Sequence, residues 1–137
     1  MRTSIILTVI IMILNNLEPR YEHQGTIVIN ELDEFGELTF VCKGKVGIGY
    51  EINKVKKYCI VYEHRCIIGA YGATFGQRSA FVYCALTDIS GYFIRKAKWV
   101  LMMEEHPDVA FVMKRAILCN YFSSVKYKLQ SRKKKDV

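Results

Sequence analysis

Three glycines at spacings of three and four, Gly69, Gly72 and Gly76, punctuate the run Gly-Ala-Tyr-Gly-Ala-Thr-Phe-Gly-Gln-Arg-Ser. Glycine at this density serves either a loop with positive φ angles or a backbone that approaches a partner closely. Few other side chains are spaced for chemistry. Cys59, His64 and Cys66 form the one cluster that resembles metal ligands. His64 and Cys66 would share a strand face, but Cys59 has the wrong parity and no fourth ligand stands nearby, so ordinary buried thiols fit better. His23, His64 and His106 are far apart, and Glu104-Glu105 reads as a solvated helix end. No nucleophile–base pair stands out, so the chain does not read as an enzyme.

The elements that must position the glycine run are short. Ile27 and Ile29 alternate with polar neighbours as a half-buried strand does. Asp33-Glu-Phe-Gly supplies a turn. Leu38, Phe40 and Cys42 then oppose Thr39, Val41 and Lys43, and Gly44-Lys45 signals a hairpin into Val46, Ile48 and Tyr50. Asn53-Lys54 marks the next turn, with strands at Tyr58 to Tyr62 and His64 to Ile68. After the glycines, alternation resumes from Ala80 to Ala85 and from Gly91 to Ile94. Short strands at near-regular spacing argue for a small antiparallel barrel or sandwich.

From Arg95 the period becomes helical. Trp99, Met102 and Met103 make one apolar side, and Glu104 to Pro107 ends that helix. Pro107 suits the first turn of another, and Asp108 favours its positive pole. Val109, Val112, Ala116 and Cys119 recur at helical intervals, with Ile117 and Tyr121 beside them, on a single helix to about Leu129. The expected fold class is therefore α+β: an antiparallel β-roll, or jelly-roll-like barrel, with a short amino-terminal helix and two carboxyl-terminal helices.

Composition agrees with one globular domain. The chain has 137 residues, 51% of them hydrophobic, and only two prolines. Its five cysteines are an odd number without a CxxC pair, which fits a reducing compartment better than a disulfide framework. Residues 1–17 form an apolar lead-in, 18–130 the domain, and 131–137 a basic tail. The run Ile5 to Leu14 has the outline of a secretory core but no small-x-small cleavage pattern after it. At about ten residues it is short of the roughly twenty that cross a bilayer. A signal sequence, the end of a membrane helix and an apolar helix packed on the domain all remain open. The last is favoured, with Pro19 ending the helix at about Glu18.

The net charge of +7 is concentrated at the carboxyl end, where Lys126 and Lys128 precede Arg132, Lys133, Lys134 and Lys135. Such a cluster either attracts anionic lipid or acidic protein, or is the solvated end of a helix. No aromatic residues interleave it, so a nucleic-acid partner is not expected.

Gly25-Thr-Ile-Val-Ile, and Glu37-Leu-Thr-Phe-Val-Cys-Lys-Gly-Lys-Val after it, resemble the strands of the cyclic-nucleotide-binding domain family, and the resemblance runs from about Leu17 to Leu129. Val46-Gly-Ile-Gly-Tyr-Glu-Ile-Asn, Arg78-Ser-Ala-Phe-Val-Tyr and Gly91-Tyr-Phe-Ile-Arg-Lys-Ala-Lys-Trp are similar to the cytoplasmic carboxyl-terminal domain of divergent protozoan voltage-gated cation (potassium) channels. The resemblance implies a regulatory module at the inner face of a membrane. Its ligand would be cAMP or cGMP, with no bound cofactor, and its partners a channel's transmembrane part or further subunits. It also implies a site at Gly69, Gly72, Gly76, Gln77, Arg78, Ser79 and Ala80. In the family, amides at a short helix start and an arginine hold the cyclic phosphate, while a glutamate takes the ribose hydroxyl. Here Gly72-Ala73 replaces the stretch bearing that glutamate. Arg78 is the candidate phosphate arginine, although counting back from Ala85-Leu-Thr-Asp puts Ser79 in its column. The resemblance therefore implies weak nucleotide binding, or a domain that has lost it and serves assembly. Tyr121, Val125 or Leu129 would cap the pocket.

Overall fold

A computed structural model describes residues 2–126 together with 128 and 129. Helix α1 (Arg2–Asn15) leads into eight strands: β1 (Glu18–Glu22), β2 (Ile27–Ile29), β3 (Glu37–Lys43), β4 (Val46–Ile52), β5 (Val55–Tyr62), β6 (Cys66–Ile68), β7 (Val82–Ala85) and β8 (Ile89–Arg95). A short helix, α2 (Ala70–Phe75), interrupts them between β6 and β7. Helices α3 (Lys96–Glu105) and α4 (Pro107–Asn120) follow, and α4 widens into a π-helical stretch at Tyr121–Lys126. All pairings are antiparallel, in two sheets ordered β1-β8-β3-β6 and β2-β7-β4-β5. The roll, the lead-in helix and the carboxyl-terminal helices are as expected.

Strand β3 shows how one alternation builds two cores. Its Val41 faces the interior between the sheets, with Val46, Ile48 and Tyr50 of β4 and Tyr83 of β7. Leu38 and Phe40 face outward, where with Ile94 they meet Trp99, Met102, Met103 and Ala110. Helix α1 lays Val9, Met12 and Ile13 on this second core and leaves Leu7, Ile10, Ile11 and Leu14 exposed. No described helix is long and apolar enough to cross a membrane.

Several sequence expectations need correcting. Gly44-Lys45 is not a hairpin, because β3 and β4 lie in different sheets and the chain turns a corner there. Helix α1 stops at Asn15, not near Glu18. The Asn16 amide donates to the Met12 carbonyl at 2.7 Å and so satisfies a terminal helix acceptor. Pro19 instead sits in β1, an edge strand, where a missing N–H is tolerated. On α4 the buried stripe is Val109, Ala110, Met113 and Ile117. Val112 is 65% exposed, and Cys119 also faces solvent, because both lie on the neighbouring face of the helix. The single helix expected to reach Leu129 changes geometry at Tyr121. The Asn53-Lys54 turn is as expected: both residues have positive φ, and the loop joins Ile52 directly opposite Val55. Arg132 to Lys135, the core of the basic tail, lies outside the described residues.

Candidate functional site

The glycine run folds as β6, a left-handed Gly69, helix α2 and a left-handed Gly76. Gly69 has φ 86°, and a Cβ there would stand 2.8 Å from the Glu37 carbonyl oxygen, so the corner excludes side chains twice over. Gly72 has ordinary helical freedom but no room: a Cβ would overlap the ring of Phe35. The two readings of glycine density therefore both hold, at different residues. Phe35 in turn meets Tyr83 edge to face, at 6.0 Å between centroids and 85° between planes. Helix α2 is tied to the helical side as well, since Trp99 Nε1 donates to Thr74 Oγ1 at 2.9 Å.

After Gly76 (φ 66°) the Gln77 N–H donates back to the Gly72 carbonyl at 3.1 Å. Arg78 then forms an antiparallel bridge with Glu34. Its Nη1 donates to the Leu32 carbonyl and its Nη2 to Glu34 Oε1, both at 3.0 Å. With side chains 63% and 75% exposed, that ion pair adds little to stability. Ser79 is buried and already committed. Its N–H donates to the Asp33 carbonyl at 2.9 Å and its hydroxyl to the Phe81 carbonyl at 2.6 Å. Ser79 thus ties the run to the β2–β3 connection.

Above α2 lies a cavity of about 530 Å³, within the size range of small-molecule sites. Three parts of the chain enclose it. The cassette contributes Gly69, Ala70, Tyr71, Gly72, Arg78, Ser79 and Ala80. Phe35, Ile48, Tyr62 and Tyr83 form the wall from the roll, with Arg65, Cys66 and Ile67 at its margin. The last helix closes the space with Ala116, Ile117, Asn120, Tyr121 and Val125. Of the residues expected from sequence, Gly76 and Gln77 do not line it. Tyr121 and Val125 do, and Leu129 is buried in the same interior core without reaching the cavity. Roof and floor touch directly, because Tyr71 of α2 stacks on Tyr121 at 3.9 Å with 3° between the rings. Phe122 approaches Tyr71 edge-on.

The electrostatics are one-sided. Among the described residues no aspartate or glutamate lines the cavity, while two arginines, Arg65 and Arg78, do. The polar groups otherwise are Asn120, Ser79, Cys66 and phenols. Burial raises Tyr83 well above the ordinary phenol value, with Tyr121 and Tyr62 adding to the shift. Burial also raises Tyr62 and Tyr121, and pushes the Cys66 thiol up to about 11. These hydroxyls and the thiol stay protonated at neutral pH, so the wall can donate hydrogen bonds to an anion and offers no negative charge to a cation. Among the described residues no group of three metal-ligating side chains converges.

Sequence reasoning missed Phe35, Tyr62, Arg65, Cys66, Tyr83 and Asn120 as site residues. β7 is buried at all four positions, so the alternation from Ala80 to Ala85 does not tell which face reaches the cavity. Arg65 stands beyond the end of β5, and only the fold brings it to the cassette.

No protein-family model and no curated protein matches the chain. Solved structures do. The C-linker/CNBHD of zELK channels, crystallised in the presence of cAMP, superposes with a TM-score of 0.70 at 16% identity, over 81% of this chain and 56% of that one. The Thermus thermophilus catabolite activator protein gives 0.69 at 16% identity, over 84% and 54%. The regulatory domain of Toxoplasma gondii PKA with cAMP gives 0.64 at 12% identity, over 69% and 36%. The chain spans about a third to a little over half the length of these proteins. At such identities the likeness is one of fold: the chain has the roll-and-helix fold of cyclic-nucleotide-binding domains.

Proposed function

We propose that this chain is a regulatory module, not an enzyme, whose cavity takes a cyclic nucleotide weakly and whose last helix reports its occupancy. The observation that carries the reading is the shared cavity. Cassette residues Gly69 to Ala80 and helix residues Ala116 to Val125 line one space, so a ligand of nucleotide size must touch both. A ligand shifts a conformational equilibrium only through contacts that differ between the two states. The Tyr71–Tyr121 stack lies between the cassette helix and the helix that would move, so a ligand that displaces either ring would act on both.

Arg78 is the phosphate partner in this reading, with Nε and the remaining guanidinium hydrogens left over from its bonds to Leu32 and Glu34. The apolar wall of Phe35, Ile48 and Val125 receives the base. Loss of a charged hydrogen-bond partner for the ribose costs about 1.5–3 kcal/mol, one to two decades of affinity. The likeness to a channel's C-linker/CNBHD supports a cytoplasmic gating module of a voltage-gated cation channel. Its partners would then be the transmembrane part, like subunits and anionic lipid at the basic end.

One observation favours a second reading, a domain kept for assembly without nucleotide. Arg78 already has a carboxylate and a carbonyl to bond. Calorimetric titration of the full chain with cAMP and cGMP, beside Arg78→Ala, separates the two. Saturable binding that falls about tenfold or more in the variant supports the ligand-gated module. A folded chain showing neither heat nor thermal stabilisation at millimolar nucleotide supports the assembly domain.

A further inference from the structure

Arg78 and Arg65 differ in what they already hold. Arg78 bonds Glu34 and the Leu32 carbonyl, so a phosphate at Arg78 shares the guanidinium with a carboxylate and gains less from it. Arg65 also lines the cavity, and among the described residues it has neither an ion pair nor a side-chain hydrogen bond. Among the described residues no carboxylate lines the same space, and burial holds Tyr62, Tyr83, Tyr121 and the Cys66 thiol protonated. The ligand that satisfies this wall carries more than one negative charge.

From this, and resting on the reading of the cavity as the nucleotide site, we infer that its preferred ligand is a dianionic phosphomonoester of an aromatic base, a nucleoside monophosphate, with a cyclic phosphodiester a weaker second. A monoester carries about −1.5 to −2 at pH 7, since its second pKa is near 6, and presents three acceptor oxygens. A cyclic diester carries one charge and two free oxygens. Two arginines at one cavity match the former, Arg65 with its guanidinium fork unengaged among the described residues and Arg78 with the hydrogens that Glu34 and Leu32 leave over. The apolar and aromatic wall, Phe35 and Tyr83 above all, suits a planar base.

The experiment is a calorimetric titration of the full chain with AMP, GMP, cAMP, cGMP and adenosine at pH 7.5, repeated on Arg65→Ala. Arg65 is exposed, and an unchanged thermal midpoint confirms that the variant is folded. The inference expects a monophosphate to bind at least tenfold more tightly than its cyclic counterpart, and Arg65→Ala to erase most of that difference while changing cyclic-nucleotide affinity less than threefold. Cyclic nucleotides that bind as tightly as monophosphates, with no selective effect of Arg65→Ala, overturn it and leave the nucleotide site standing. Adenosine that binds as tightly as AMP overturns it by placing recognition on the base. Absence of binding by all five overturns both the inference and the site.

Discussion

The two cores of this molecule share strand β3 and are built to opposite ends. On its outer face, Leu38 and Phe40 meet a dry helical layer of Trp99, Met102, Met103 and Ala110, capped by Val9 of α1. On its inner face, Val41 belongs to a core that is left incomplete, with a cavity of about 530 Å³ bounded by phenols and two arginines. The filled side gives stability. The hollow side spends packing on a space lined, among the described residues, by two arginines and no carboxylate. Helix α2 joins them, with Gly72 against Phe35 on the hollow side and Thr74 bonded to Trp99 on the filled side. The proposed regulatory role would use that asymmetry, because a site that must change on binding cannot also be the most tightly packed region.

Substitutions should separate the two sides. Trp99→Ala removes the largest side chain of the filled core together with its bond to Thr74. It is expected to cost about 3–5 kcal/mol in urea unfolding. Gly72→Ala forces a methyl into the Phe35 ring and should cost about 1–3 kcal/mol, with ligand affinity lost as α2 shifts. A Gly72→Ala protein as stable as the parent would mean that the α2–Phe35 contact is looser than described. Tyr121→Ala breaks the ring stack on a half-buried residue. It should cost only about 0.5–1.5 kcal/mol from the pair, while removing the response of the last helix to ligand.

Alkaline pH sharpens the contrast. The Cys66 thiol is raised from 9.0 to about 11 by burial on the hollow side. A group with a raised native pKa stabilises fully below its unfolded value and loses that stability as pH rises to the native one. Thermal midpoints should therefore fall between pH 9 and 11, and Cys66→Val should flatten that fall. The smallest effect concerns the ligand. With no carboxylate lining the cavity among the described residues, 2′-deoxy-cAMP and cAMP should bind within about threefold of each other by competition, since no charged hydrogen bond distinguishes them.

The filled side was the more legible in sequence. Trp99, Met102 and Met103 recur at helical spacing and are all buried together. Regularity had limits even there. On α4 the stripe through Val112 and Cys119 has the right period but the wrong phase, because exposed apolar residues such as Phe111 and Leu118 blur which face docks. On the hollow side, the glycine run announced the cassette, since only a left-handed corner and a close approach explain Gly69 and Gly72. Arg65, Tyr62, Tyr83 and Asn120 were silent. They reach the cavity through antiparallel pairing and through the crossing of the last helix, neither of which leaves a local pattern. The glycine corner at Gly44 looked like a hairpin for a similar reason: a turn residue marks a change of direction and not which sheet the chain enters.

The central claim is that one ligand touches both the cassette and the last helix. Amide hydrogen exchange of the full chain, with and without saturating AMP or cAMP, tests it most directly. The account predicts slowed exchange in both segments, residues 69–80 and 116–126, with little change in α3. Protection confined to one segment, or spread evenly over the chain, would contradict it.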